Sequence, residues 1–384
     1  MNLREWQRST IGANEPIRKA IDVIEASPIG IAVVIDDDDR MIGSLDDFQI
    51  RQAMLSNKSL EEPAYLVMES SSIKSNESVV EVPNHSFAAF VDENGRLTGL
   101  ARLPEDACDK PSPLNNPIMI LLPGDELVLA PGDLSVPRPM LKFMNKPLLE
   151  WTLTRFAQQG FKNFLFAFKH KIGLIEDYFQ DGSLWGVSIS YLDIGAQFKS
   201  APEYSRQDHP HPTAIVNGSL LTRVNLVQLF DYHRRCEADA TIGVTEFHIA
   251  IPHATVAHDG SKLLSIAERN IVNKKWIDAG IYIANSEFLD TALQKDVFSL
   301  PQTFNQLARQ NRKVAVCPIH EQWLDICSYD SYREAQSSFV EINGMEPEPN
   351  QSIDAQSRTI QIIRPPGTIG CHSALNSSGY VLNS

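Results

Sequence analysis

Apolar positions recur along the chain with two different periods. Ile17, Ala20, Ile21 and Ile24 fall at helical spacing, behind Asn14 as an N-cap and Pro16 near the first turn. The run Ile29 to Ile35 reads as a buried strand, Asp36 to Arg40 as a charged turn, and Arg40 to Ser44 as a second strand closing a hairpin. Asp46 to Ala53 is helical in pattern. A similar hairpin returns as Ser86 to Val91, the turn Asp92 to Gly95, and Arg96 to Ala101. These are two copies of one unit, separated by about 55 residues. The second copy lacks the amphipathic helix expected before its strand.

The pattern changes after Asp106 to Pro117, a linker-like cluster of Pro, Asn, Asp and Ser. Strand patterns at Ile118–Leu122, Asn163–Phe168, Val187–Tyr191, Thr213–Val216 and Ala240–Thr245 alternate with helix patterns at Leu148–Gln159, Leu174–Phe179 and Leu226–His233. Such alternation predicts a mainly parallel sheet covered on both faces. Ligands of such sheets sit beyond the carboxyl ends of the strands, which directs attention to the loops after Leu122 and Val216. From Ile342 onward the chain is polar and weakly patterned, apart from a short strand pattern at Thr359–Ile363.

Composition narrows the function classes. The chain has 384 residues and a net charge of −14, against the basic face a phosphate backbone requires, so no nucleic-acid partner is expected. No apolar run approaches the ~18 residues of a membrane span, so no membrane insertion is expected. Five scattered cysteines without a CxxC pair argue against a disulfide framework or zinc site and for a reducing cytoplasm. The charge is uneven: residues 1–115 hold 11 Lys and Arg against 20 Asp and Glu.

Several motifs carry a family resemblance. They are Pro137-Arg138-Pro139-Met140-Leu141 with Lys146-Pro147-Leu148-Leu149-Glu150, Ile175-Glu176-Asp177-Tyr178-Phe179, and Val216-Asn217-Gly218-Ser219. Ile277-Asp278-Ala279-Gly280-Ile281-Tyr282 and Trp323-Leu324-Asp325-Ile326 continue the match. The segment from Asn116 to about Gln336 thereby resembles the sugar-1-phosphate nucleotidyltransferases, and the N-terminal part resembles a tandem CBS-domain pair. The implied fold is α/β. A CBS-pair-like α+β module (residues 1–110) precedes a Rossmann-like, GT-A-like mixed-sheet nucleotidyltransferase domain (116–340) and a C-terminal tail (341–384). The resemblance implies a place in a bacterial surface-sugar pathway, self-association into a homo-oligomer, and a sugar phosphate or sugar nucleotide as partner.

The family's reaction joins a sugar 1-phosphate to a nucleoside triphosphate and releases pyrophosphate. It needs a glycine-rich loop, cationic side chains and Mg²⁺ held by aspartates. The loop pattern G-G-x-G-T-R-L corresponds here to Pro123-Gly124-Asp125-Glu126-Leu127-Val128-Leu129, which keeps Gly124 alone. Asp125 and Glu126 bring negative charge to the place of a triphosphate, and two like charges about 4 Å apart repel by about 4 kcal/mol at an effective dielectric of 20. Arg138 stands in the place of the family's lysine as the catalytic cation. Ser219 replaces the first metal aspartate, while Asp325 keeps the second. Gly124, Asn217, Gly218, Glu268, Arg269, Asp278 and Gly280 match substrate-binding positions.

Asp325 is read either as a metal ligand or as an N-cap for the segment Asp330–Ser337. Cys327 is read as a packing residue, His209 and His211 as a solvated loop, and Asp36–Asp39 as a solvated turn. In the CBS-like part, Asp46 and Gln49 replace the threonine and ribose-binding aspartate, and Asp46 and Asp47 are expected to oppose a nucleotide phosphate there. Together these readings predict a catalytically degenerate, sugar-phosphate- or sugar-nucleotide-binding regulator or scaffold. No cofactor is expected, or Mg²⁺ if the chain is active. The alternatives are an active transferase with an altered phosphate and metal site, and a purely structural subunit.

Overall fold

A computed structural model describes residues 6–27, 29–70, 79–81, 87–102, 113–122, 126–127, 136–144, 146–169, 172–195, 211–250, 254–267, 272–293, 299–333 and 335. The N-terminal part begins with β1 (Thr10–Gly12), α1 (Ile17–Ala26), β2 (Ile31–Ile35), β3 (Met41–Asp46), α2 (Asp47–Leu55) and β4 (Glu69–Ser70). β1 runs parallel to β2, and β2–β3–β4 are antiparallel, giving one four-stranded sheet. β5 (Val79–Glu81), β6 (Phe87–Val91) and β7 (Leu97–Arg102) form a second, antiparallel sheet. The apolar face of α1 closes over the first sheet through Ile17, Ala20 and Ile24. Its N-cap is Pro16 and not Asn14.

The duplicated hairpin is reproduced bond for bond. Asp36 Oδ1 accepts from the backbone N–H of Asp38 and Arg40 at 3.0 and 2.8 Å. Asp92 Oδ1 accepts from Asn94 and Arg96 at 2.8 Å each. Both hairpins shift register at the same place, at Val34/Ile35 and at Phe90/Val91. The two copies also clasp each other: Met41 N–H donates to Gly95 O at 3.1 Å and Leu97 N–H to Asp39 O at 3.2 Å. Ile31, Val33 and Met41 of the first copy pack with Ala89, Val91 and Leu97 of the second.

The second part is built on β8 (Ile118–Leu122), followed by four two-residue strands: β9 (Glu126–Leu127), β10 (Val136–Pro137), β11 (Lys142–Phe143) and β12 (Lys146–Pro147). Then come α3 (Leu148–Gln158), β13 (Asn163–Phe168), α4 (Gly173–Phe179), β14 (Ser188–Asp193), β15 (Thr213–Asn217), β16 (Leu220–Thr222) and α5 (Leu226–Arg235). The chain continues through β17 (Ala240–Ala250), the hairpin β18 (Thr255–Asp259) and β19 (Lys262–Ala267), β20 (Val272–Ala284), α6 (Ser286–Leu293), α7 (Leu300–Arg309), β21 (Val314–Pro318) and β22 (Trp323–Asp325). Seven strands form one sheet in the order β14-β13-β8-β15-β20-β17-β21. All are parallel to β8 except β20, which runs antiparallel to both of its neighbours. The wholly apolar run of β8 follows from its central position, covered by helices on both faces. The sheet is therefore mixed, because β20 reverses the direction expected from βα alternation.

The two parts meet through α2, which packs on α5 and the end of β21. Arg51, fully buried, donates through Nε to Asp47 Oδ2 at 2.6 Å, through Nη2 to Glu321 Oε1 at 2.8 Å, and through Nη1 to Pro318 O. His320 Nε2 lies 2.8 Å from Asp47 Oδ1. Burial would raise the Asp47 carboxyl, but the Arg51 guanidinium and His320 overcome it and bring the pKa down to about 2. Asp46 is the N-cap of α2, in a capping box with Gln49, and pairs with Arg235. The Arg235 guanidinium stacks 3.9 Å over the Phe48 ring. Gln52 Nε2 donates to Tyr232 Oη at 2.9 Å. This corrects the expectation for Asp46, Asp47 and Gln49: Asp46 and Gln49 cap a helix, and the carboxylates of Asp46 and Asp47 are paired with cations within the protein.

Candidate functional site

β8 and β15 end side by side at the carboxyl edge of the sheet, where the Gly218 N–H donates to Leu121 O at 2.8 Å. A Cβ on Gly218 would lie 3.0 Å from that same carbonyl, so the turn admits glycine. The turn leads straight into β16, which pairs antiparallel with β22 and sets Leu220 opposite Asp325. Thr152 Oγ1, from α3, donates to Leu220 O at 2.9 Å and fixes the start of β16. On the other side, β20 passes antiparallel to β15 and places Gly280 beside Asn217. Gly280 has φ +68°, and a Cβ there would stand 3.2 Å from the Asn217 Cβ. Asp278 Oδ1 accepts from the Gly280 N–H at 2.8 Å, and its Oδ2 accepts from Tyr282 Oη at 2.6 Å. Trp323 Nε1 ties β22 to β20 by donating to Ala279 O at 2.7 Å.

The polar centre of this edge is the trio Asn217, Ser219 and Asp325. Ser219 Oγ lies 3.1 Å from both Asn217 Oδ1 and Asp325 Oδ1, and the Ser219 N–H also donates to Asn217 Oδ1 at 3.2 Å. A serine hydroxyl has one proton, so it cannot donate to both oxygens at once. Asn217 Oδ1 already accepts the Ser219 N–H, which leaves the hydroxyl proton for Asp325. Burial raises the Asp325 pKa, while the Ser219 hydrogen bond and the charge of Arg138 oppose the rise. Arg138 follows β10 directly and lies close enough for its charge to act on Asp325.

The donor set does not fit a resident Mg²⁺. A tightly held Mg²⁺ wants octahedral oxygen ligands with carboxylate charge, whereas here one carboxylate and two neutral groups already bond to each other. Among the described residues no group of three or more His, Cys, Asp or Glu could hold a metal. What the arrangement leaves accessible to a polar ligand at the strand ends is the exposed Asp278 with the half-buried Asn217 and Asp325.

Of the residues singled out in the sequence, the structure brings Asn217, Gly218, Gly280 and Asp325 together, with Asp278 two residues along β20 and Arg138 close enough to act on Asp325. Gly124, Glu268 and Arg269 lie outside the described residues, as do Asp125, His209, Thr359–Ile363 and the tail 341–384. The N-cap alternative for Asp325 is replaced: Ser328 caps the helical residues 329–333, accepting from Ser331 N–H at 3.1 Å. Cys327 is exposed and does not pack. Sequence reasoning took Ser219 only as a lost ligand. The Asn-x-Ser spacing was the available signal for the Asn217–Ser219 turn.

A family model described as nucleotidyl transferase matches residues 119–341. D-glycero-alpha-D-manno-heptose 1-phosphate guanylyltransferase of Aneurinibacillus thermoaerophilus is 27% identical over 207 residues, covering 52% of this chain and 88% of that protein. UTP–glucose-1-phosphate uridylyltransferase of Synechocystis is 26% identical over 259 residues, 60% of this chain and 67% of its own. Mannose-1-phosphate guanylyltransferase of Mycobacterium tuberculosis is 34% identical over 131 residues, covering 32% of this chain and 35% of that protein. The crystal structure of HddC from Yersinia pseudotuberculosis complexed with GMP-PN aligns with 58% of this chain and 99% of its own, at 18% identity and a TM-score of 0.45. Among the described residues, no helix is long and apolar enough to cross a membrane.

Proposed function

Because this chain belongs to the nucleotidyl transferase family, we propose that it recognises a sugar 1-phosphate, or the corresponding sugar nucleotide, at the edge formed by Asn217, Gly218, Gly280 and Asp325. We further propose that it serves as a binding and regulatory member of a sugar-nucleotide pathway in the cytoplasm. The observation that carries this reading is the Asn217–Ser219–Asp325 trio, in which a serine hydroxyl stands where an ionised second carboxylate would serve metal-assisted phosphate chemistry. The names of the relatives supply the ligand class. In this reading residues 116–340 form the transferase-like domain and residues 1–110 a CBS-pair-like module, a division supported by the clasped pair of hairpins. The tail 341–384 lies beyond both, and the protein self-associates. Arg138 contacts the ligand's phosphate and Asp278 lines the same site, and Gly124, Glu268 and Arg269, outside the described residues, are proposed as further substrate-binding residues.

The decisive experiment measures pyrophosphate release from each nucleoside triphosphate with a panel of sugar 1-phosphates and Mg²⁺, beside thermal shifts with sugar nucleotides. Saturable stabilisation without turnover is the expected result. A second reading, an active transferase with an altered metal site, is favoured by one observation: Asp325 keeps its place with the Arg138 charge acting on it. Turnover above an Arg138→Ala/Asp325→Ala control would establish that reading. Neither turnover nor stabilisation would sink both.

A further inference from the structure

A cavity of about 730 Å³ lies in the joint between the two parts of the chain and is lined in part by β16. Its volume falls within the ~300–1,000 Å³ usual for small-molecule sites, and seams between folded units are where such sites concentrate. One wall is the end of α1 and the turn after it, with Ile24, Glu25, Ser27 and Gly30. The opposite wall is α3, which contributes Trp151, Thr154, Arg155 and Gln158. The floor includes Leu221, Thr222 and Arg223 of β16 and the segment after it.

Arg155 decides the chemistry. Its Nη2 donates to Arg223 O at 2.9 Å, and its Nε is shielded from water with no hydrogen-bond partner. Among the described residues no carboxylate pairs with it, in contrast to Arg51 and Arg235 in the same joint. Thr154 Oγ1, on the same wall, is likewise buried without a partner. A guanidinium left in this state presents its remaining donors in a fork that matches phosphate or carboxylate oxygens. Two carboxylates line the cavity. Glu321 is held by Arg51, which it shares with Asp47, and Glu25 stands exposed. The indole of Trp151 and the side chains of Ile24 and Leu221 add apolar wall, which suits a ligand with a body attached to its anionic group.

We propose that this joint cavity is a second ligand site, separate from the strand ends, that binds a small phosphorylated metabolite with its phosphate on Arg155. Such a ligand touches Ile24, Glu25 and Ser27 of the N-terminal part together with Leu221 and Thr222 of β16 and Arg223 after it. β16 begins next to Ser219 and pairs with the strand that carries Asp325. Occupancy therefore ties the N-terminal part to the two strands that build the strand-end site.

The test uses the full chain and three probes, AMP, glucose 6-phosphate and inorganic phosphate, measured by calorimetry. Saturable binding of AMP or glucose 6-phosphate is expected, and which of the two binds more tightly identifies the body of the ligand. Arg155→Gln is expected to weaken it about tenfold or more, the usual scale for a charge-assisted hydrogen bond. Gln158→Glu, at an exposed position on the same wall, places a negative charge beside the phosphate without disturbing the packed interior, and is expected to weaken binding about fivefold. Hydrogen exchange should slow together at residues 24–27 and 221–225. No saturable binding of any probe would overturn the proposal, and so would binding indifferent to both substitutions. Because these readouts do not use pyrophosphate release or sugar nucleotides, the outcome is independent of the function proposed for the strand ends.

Discussion

Carboxylates at two places in this protein have opposite electrostatic fates. In the joint between α2 and β21, Asp47 and Glu321 both face Arg51, and burial is outweighed by that cation, so both carboxyls are held below their ordinary pKa values. At the strand ends, Asp325 faces a serine hydroxyl, and burial wins, so its pKa is raised. The joint is the deeper of the two settings, with Asp47 buried and Asp325 half-buried. Depth alone would raise the joint carboxyls more, so the guanidinium in direct contact decides the sign. The joint favours the charged form of its carboxylates, and the strand-end site disfavours the charge of Asp325.

The strongest way to break this contrast is Arg51→Met. It strands two carboxylates in a dry interface, and breaking a buried pair in this way typically destabilises by about 3–5 kcal/mol, measurable by urea unfolding. Adding Asp47→Leu and Glu321→Leu to that variant should restore most of the loss.

Acid is the next lever. Asp47 has a folded pKa of about 2 against 3.8 for the ordinary group, so the unfolded chain binds the proton first as pH falls. The stability it contributes, about 2 kcal/mol, is complete above pH 4 and is lost as pH drops toward 2. Melting curves across that window should show the decline in the natural chain and a flatter profile in Arg51→Met.

Gly280→Ala sharpens the comparison from the other side. The αL backbone and the 3.2 Å approach to Asn217 predict a cost of about 1–2 kcal/mol and loss of ligand binding, with the acid profile of the joint unchanged. The smallest expected effect has the opposite sign. The raised Asp325 pKa means that its charged form is disfavoured in the fold, a cost that sets in as pH rises past the ordinary carboxylate range. Asp325→Asn should therefore raise the melting temperature slightly at neutral pH, and show no such gain at pH 3.

Legibility in the sequence followed the range of the interactions. β8 and β13 were readable to the residue, because central strands are continuous apolar runs. The duplicated hairpin was readable because its turn bonds lie within four residues of Asp36 and Asp92. Of the long pair β17 and β20, the strand pattern showed only Ala240–Thr245. Its outer halves carry exposed charged residues such as Lys274 and Lys275, and only mutual pairing makes them strands. α7 was missed although Leu300, Phe304 and Leu307 bury one face. At the strand ends the residue identities were legible and the trio geometry was not, because Ser219 meets Asp325 across 106 positions. Asp46 and Asp47 were misread for the same reason, since Arg235 and His320 are supplied from far along the chain.

That remoteness has a consequence during synthesis. Arg51 leaves the ribosome 270 residues ahead of Glu321, and at about 5–20 residues per second the interval is about 15–50 s. Throughout it, the clasped hairpins can close, since they need nothing beyond residue 102. The guanidinium of α2 has Asp47 alone for company, and the face that will meet β21 stays wet. The N-terminal part is thus born early as a half-finished surface, and the turn after β21 is what seals it.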